Sequence, residues 1–176
     1  RGTLPVADVR RIVGQLASAL SYAHGRRIVH RDIKPSNVMV NRDGIVKLMD
    51  FGLARAVPEG GAGAPARTAG TAPYMAPEQL SQGTVGTAAD LYARAGTTWE
   101  MLTGKSPFRG RTFDALRKEH ADWKLPAEGG GLPGIGADLE ASRAGCLVRD
   151  PAARSADLDA MASWAGPVRY EDLAGS

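Results

Sequence analysis

Two short β-prone runs, Val38-Met39-Val40 and Ile45-Val46-Lys47-Leu48-Met49, stand either side of Asn41-Arg42-Asp43-Gly44. An Asp-Gly inside so short a connection is a hairpin signal. A hairpin constrains more than itself, because the residues entering it and leaving it must lie side by side. Everything around it reads as helix or loop. Residues 5–24 carry Val9, Ile12, Val13, Leu16, Leu20 and Ala23 at three- and four-residue spacing, the stripe of an amphipathic helix. Pro5 suits its first turn and Gly25 its stop. Helical patterns return near 87–103, 112–119, 137–148 and 156–165. Residues 55–73 are dominated by Gly, Ala and Pro, without periodicity, and 125–136 form a second Gly/Pro-rich connection. The expected fold is mainly α with a small β-hairpin.

The hairpin has a chemical consequence. Asp32 and Asn37 precede its first strand and Asp50 follows its second. The three side chains therefore converge, with Lys34 in the same loop. Oxygen ligands of this kind suit Mg²⁺, which takes one or two protein oxygens plus substrate phosphates. Two carboxylates, an amide and a lysine around a metal describe phosphoryl transfer better than hydrolysis by a nucleophile. The competing reading is that these are ordinary polar residues at turns.

Composition narrows the remainder. Of 176 residues, 22 are basic and 19 acidic, and the net charge of +3 is spread without a basic block, which argues against nucleic-acid binding. A single cysteine, Cys146, excludes an internal disulfide and any multi-cysteine zinc site, and reads as a small core residue. No apolar run is long enough to span a membrane, and no signal peptide opens the chain. The first residue is Arg1, so the chain is expected to be part of something longer. Gly104-Lys105-Ser106 lacks the glycine five residues upstream that a P-loop needs, because Trp99 stands there. Gly134-Ile135-Gly136 lacks both a third glycine and a preceding strand.

The string His30-Arg31-Asp32-Ile33-Lys34-Pro35-Ser36-Asn37 resembles the catalytic loop of the eukaryotic-type protein kinases. Asp50-Phe51-Gly52 is similar to the family's metal-binding D-F-G. Gly70-Thr71-Ala72-Pro73-Tyr74-Met75-Ala76-Pro77-Glu78 resembles the end of its activation segment. Asp90-Leu91-Tyr92-Ala93, Glu100 to Phe108 and Asp150-Pro151-Ala152-Ala153-Arg154 resemble the central helix, the turn after it and the D-P-x-x-R near the domain end. Lys34 and the Gly70-Thr71 pair are similar to the serine/threonine subclass. The Arg-rich, Lys-poor style, 17 against 5, is similar to bacterial members.

The resemblance implies roles. Asp32 takes or orients the proton of a substrate hydroxyl, Lys34 balances charge on the γ-phosphate of ATP, and Thr71 braces both. Asn37 and Asp50 hold Mg²⁺, with Mn²⁺ as a substitute. His30, Arg31, Phe51, Gly52, Glu78, Asp90 and Arg154 are structural: His30 packs beside Phe51, Arg31 pairs with a phosphate on the long loop, Glu78 and Arg154 form a buried ion pair, and Asp90 accepts N–H bonds from the catalytic loop. Thr68 is the only hydroxyl between Asp50 and Thr71 and is the phosphorylation candidate.

It also implies what to look for and not find. No G-x-G-x-x-G precedes residue 30 and no V-A-I-K occurs anywhere. The expectation is a C-terminal (large) lobe over residues 1–176, with catalytic loop 30–37 and activation segment 50–78 and the N-terminal lobe absent. The complete enzyme would phosphorylate protein serine or threonine in the cytoplasm, the piece alone being inactive or nearly so. The alternatives are a truncated, non-catalytic kinase-like binding module or a decayed gene product, and a small-molecule phosphotransferase of the same fold. Arg94-Ala95 departs from the family, which has an apolar residue and then Gly there; an arginine buried without a partner is costly. An apolar face is expected where the other lobe would sit, and with it poor solubility of the piece alone.

Overall fold

The computed structural model describes residues 2–50, 55–56, 70–81, 83–123, 132 and 134–168. Helix α1 (Val6–Gly25) follows Pro5, and the chain turns sharply after it through Arg27 at φ +57°. Its apolar stripe is closed to water: Val9, Ile12, Val13, Leu16 and Leu20 are all at most 2% exposed. Each such side chain contributes about 1.5–3 kcal/mol of transfer free energy. The stripe packs with Met101, Leu139, Met161 and Val168, and helix α6 (Leu158–Ala162) lies against it.

The hairpin pairs β2 (Val38–Val40) with β3 (Val46–Leu48), antiparallel, in the register Val38↔Leu48, Met39↔Lys47, Val40↔Val46. Alternation sends Val38, Val40, Val46 and Leu48 toward the α1 core. Met39 is left 54% exposed, beside exposed Ile45 and Met49. In the turn, Asn41 Oδ1 accepts from the N–H groups of Asp43 and Ile45, and Gly44 adopts φ +76°. Gln15 of α1 clamps this turn. Its Oε1 accepts from Val46 N–H, and its Nε2 donates to the carbonyls of Gly44 and Gly166.

Helix α3 (Thr87–Thr103) is buried nearly all round and packs against α1, strand β1 (Ile28–Val29) and helix α5 (Ala137–Ala144). Gly104, at φ +71°, caps it and donates to Glu100 O, so Gly104-Lys105-Ser106 is a helix stop. Helix α4 (Phe113–Asp122) starts at Thr112, whose Oγ1 accepts from Ala115 N–H. Helix α5 (Ala137–Ala144) ends at Gly145, short of the expected 148. Helix α6 begins later and ends earlier than its pattern, with Asp157 accepting from Ala160 N–H as the cap. A second core joins Met75, Leu80, Tyr92, Phe108, Leu116, Cys146 and Leu147, so Cys146 is a buried small residue.

Two features correct the sequence reading. Residues 55–73 are not wholly without regular structure. Strand β4 (Arg55–Ala56) pairs antiparallel with β1 (Ile28–Val29), Ile28 opposite Ala56 and Val29 opposite Arg55. Ladder pairing is made by backbone groups, so two residues can join it without any apolar pattern. Residues 70–73 lead into a short 3₁₀ turn (Ala72–Tyr74) and then α2 (Pro77–Leu80). The second feature is Arg94. It is 0% exposed, so it does not reach water. Its Nη2 donates to Ser142 O and lies 3.1 Å from Cys146 Sγ, while Nε and Nη1 have no partner among the described residues.

Candidate active site

The site is built on the segment that leaves β1 and enters the hairpin. His30 is fully buried, and the next residue, Arg31, is held at φ +69°, a costly conformation for a residue with a side chain. Three hydrogen bonds over-determine it. Buried Asp90 of α3 accepts from His30 N–H (Oδ2, 2.9 Å) and Arg31 N–H (Oδ1, 2.8 Å), and Gln79 of α2 donates to Arg31 O at 3.2 Å. His24 Nε2, 2.9 Å from Asp90 Oδ2, fixes the carboxylate from the other side.

The strain delivers Asp32 into a defined position. Asp32 is 3% exposed. Its Oδ2 accepts from Asn37 Nδ2 at 3.0 Å and lies 3.0 Å from Lys34 Nζ. Asn37 Nδ2 also donates to Asp32 O at 2.8 Å. Lys34 Nζ donates onward to Thr71 Oγ1 at 2.6 Å, tying the loop to the segment that follows residue 70. Asp32 Oδ1 is buried and accepts no hydrogen bond among the described residues. A carboxylate with one oxygen held twice and the other unfilled is oriented and has an acceptor to spare.

Asn37 sits in a 3₁₀ turn (Pro35–Asn37) at the hairpin entrance. Met49 N–H donates to Asn37 O at 2.7 Å, which brings the two ends of the hairpin together and sets Asp50 beside Asn37. His30 Nε2 lies 2.9 Å from Met49 O, and its Nδ1 accepts from Asp32 N–H at 3.2 Å, so the ring bridges loop and hairpin. This assigns its proton to Nε2. Asp50 is exposed, at φ +67°, and its carboxylate has no hydrogen bond or ion pair among the described residues. Asn37 has an amide oxygen and Asp50 a carboxylate free for a hard cation, and neighbouring phosphate oxygens would complete six ligands. The donor set fits Mg²⁺. No group of three His, Cys, Asp or Glu that could cage a metal occurs among the described residues.

Away from the cluster, Glu78 and Arg154 pair bidentately at 2.6 and 2.8 Å, and Arg154 also donates to the carbonyls of Ala88, Val148 and Arg149. This ties α2 to the segment that follows α5. Phe51, Gly52 and Thr68 lie outside the described residues. Sequence reading missed His24 and Gln79 as supports of the loop. His24 faces a partner 66 positions away and Gln79 one 48 positions away, so no local spacing signalled either.

The sequence pattern of the protein kinase domain matches residues 1–135. The chain is 38% identical over 136 residues to the probable serine/threonine-protein kinase PknB of Bifidobacterium longum, covering 76% of this chain and 20% of that protein. It is 34% identical over 161 residues to the serine/threonine-protein kinase PknL of Mycobacterium tuberculosis, covering 92% of this chain and 40% of that one. A probable serine/threonine-protein kinase of Streptomyces coelicolor is 39% identical over 163 residues, covering 92% and 24%. The chain thus spans a fifth to two fifths of the length of these relatives.

Proposed function

The chain belongs to the protein kinase family, on the bacterial branch of eukaryotic-type serine/threonine kinases, and from that premise we propose that it carries the phosphoryl-transfer half of such an enzyme, moving the γ-phosphate of ATP to a protein serine or threonine. One observation carries the reading: buried Asp32 has Oδ2 locked by Asn37 and Lys34, and Oδ1 without a partner among the described residues. Oδ1 accepts the hydrogen bond of the incoming hydroxyl, aims its lone pair at phosphorus and receives its proton as the new O–P bond forms. The bridging O–P bond breaks, and its electron pair leaves with the nucleoside diphosphate. Lys34, 3.0 Å from Asp32 and held by Thr71, puts a positive charge where the transferred group carries negative charge. Asn37 and Asp50 would hold Mg²⁺, which supplies charge neutralisation on the phosphates.

The reading extends to the whole protein. The C-terminal-lobe assignment rests on the motif order and on the exposed Met39, Ile45 and Met49, an apolar surface of the kind a second lobe covers. That lobe would bring the loop and lysine that this sequence lacks, and the chain alone would be close to inactive. A cytoplasmic setting fits a consumer of ATP; no helix among the described residues is long and apolar enough to cross a membrane. Thr68 and Arg31 remain the proposed phosphate-bearing residue and its receiver.

Replacing Asp32 by Asn in the complete protein tests the role. The amide keeps the shape and removes the proton acceptor, so transfer to a peptide should fall by about 10²–10⁴, with the unfolding midpoint little changed. Activity within a few-fold of the parent would sink the assignment. Buried, half-satisfied Arg94 favours a second reading, a kinase-like module that binds without catalysis. It requires that the complete protein transfer no phosphate at all.

A further inference from the structure

A cavity of about 500 Å³ opens between α2, α4 and the segment 149–151, outside the cluster around Asp32. Two acids lie on its wall, and Asp150 Oδ2 has no partner among the described residues. Glu78 gives both oxygens to Arg154, and Asp150 Oδ1 accepts from Ala152 N–H. Hydrogen-bond donors are left over. Arg117 is pinned by three bonds, Nε and Nη2 to Leu80 O and Nη1 to Asp114, which leaves two of its five N–H groups unused. Arg149 is exposed, and its guanidinium has no partner among the described residues. His120, also on the wall, is 4% exposed. Its Nδ1 lies 2.5 Å from the Tyr92 hydroxyl. Burial raises the Tyr92 phenol, so it stays protonated; in the tautomer in which it donates to Nδ1, the imidazole proton resides on Nε2. Nε2 has no acceptor among the described residues.

We propose that this cavity is a binding site for a phosphate monoester, held by Arg149 and Arg117 with the His120 Nε2–H group as a neutral donor. Guanidinium groups favour bidentate capture of oxyanions. A phosphate offers three strong acceptor oxygens to these donors, where a carboxylate offers two. Pro77 and Pro151 give an apolar wall for the stem that carries it. The site also has a route to the loop before the hairpin, because α2 forms one wall and its Gln79 holds Arg31 O. The phosphate could be free or carried on a phosphorylated side chain.

The test titrates the protein, without ATP, with phenyl phosphate, inorganic phosphate, a phosphoserine peptide and phenylacetate. Binding is followed by the thermal midpoint and by the NMR signal of the His120 Nε2–H group. Saturable binding of phenyl phosphate is expected, with a shift of that signal. Arg149→Ala should weaken it at least about tenfold, and Arg149→Lys by less. Among the described residues the Arg149 side chain has no bond to lose, so the unliganded midpoint should not move. A peptide tighter than inorganic phosphate makes the side chain the source, and the reverse makes it free phosphate. Either supports the site. Failure to saturate below about 10 mM, equal affinity in Arg149→Ala, or phenylacetate binding as tightly as phenyl phosphate overturns it. Asp32→Asn should bind unchanged, so this result and the test of phosphoryl transfer stand or fall separately.

Discussion

Asp32 and Arg94 illustrate two fates of a buried charge. Asp32 is surrounded by donors that hold one oxygen and spare the other. Arg94 has a carbonyl and a sulfur, and two of its nitrogens are unmet among the described residues. An unsatisfied buried polar group costs about 1–3 kcal/mol, so Arg94→Leu should raise stability by about that much in urea unfolding. A loss of stability would mean that Arg94 is better satisfied than its contacts indicate. His120 gives a pH dependence. Burial, helped by the nearby charge of Arg154, lowers its pKa to about 4 from an ordinary 6.5. The unfolded chain therefore takes up a proton that the fold refuses. Stability is complete above pH 6.5 and falls as pH drops toward 4, by about 2 kcal/mol between pH 7 and pH 5 from this group. Unfolding midpoints at the two pH values should differ less in His120→Gln by that amount; an unchanged difference would contradict the assignment.

At the scale of elements, the hairpin holds α1 and residues 166–168 together. Gly44 meets the backbone of Val168 so closely that a Cβ would lie 2.3 Å from its carbonyl oxygen, and φ there is +76°. Val168 N–H donates to Gly44 O, and Gln15 reaches the same carbonyl. Gly44→Ala must both strain the turn and push residues 167–168 away. A destabilisation of at least about 1–3 kcal/mol is expected, with faster proteolysis after α6. Wild-type cleavage and stability would show that the contact is dispensable. The hairpin itself was legible, because alternation and Asp-Gly are local signals. The β1–β4 pair was not, since its strands are two residues each and lie 27 positions apart. Helix ends moved for a local reason: Gly145 and Asp157 decide them by cap geometry, whereas apolar spacing runs past both.

For the whole molecule, α3 is the shared wall. Asp90 supports the loop at residues 30–31, Met101 packs with α1, and Tyr92 packs with Phe108 and His120. Opposite this order, Met39, Ile45 and Met49 stand exposed on the hairpin side. Three large apolar side chains on one small sheet and its edges favour association. Light scattering of the 176-residue chain alone should show a mass that rises with concentration, and Met39→Lys should reduce the effect. A monodisperse monomer at all concentrations would count against an interface there.

The sequence by itself determined the elements with a period and the set of candidate site residues, because side-chain spacing and motif order are written along the chain. Asp32, Lys34, Asn37 and Asp50 could be named before any fold was drawn. Only the tertiary structure decided that Asp32 keeps one oxygen without a partner among the described residues, that Arg31 is held in a strained conformation by Asp90 and Gln79, and that His24 stands behind Asp90. Those outcomes depend on partners dozens of residues away. Burial makes each unmet donor or acceptor costly, and chain spacing carries no record of which distant group will meet it.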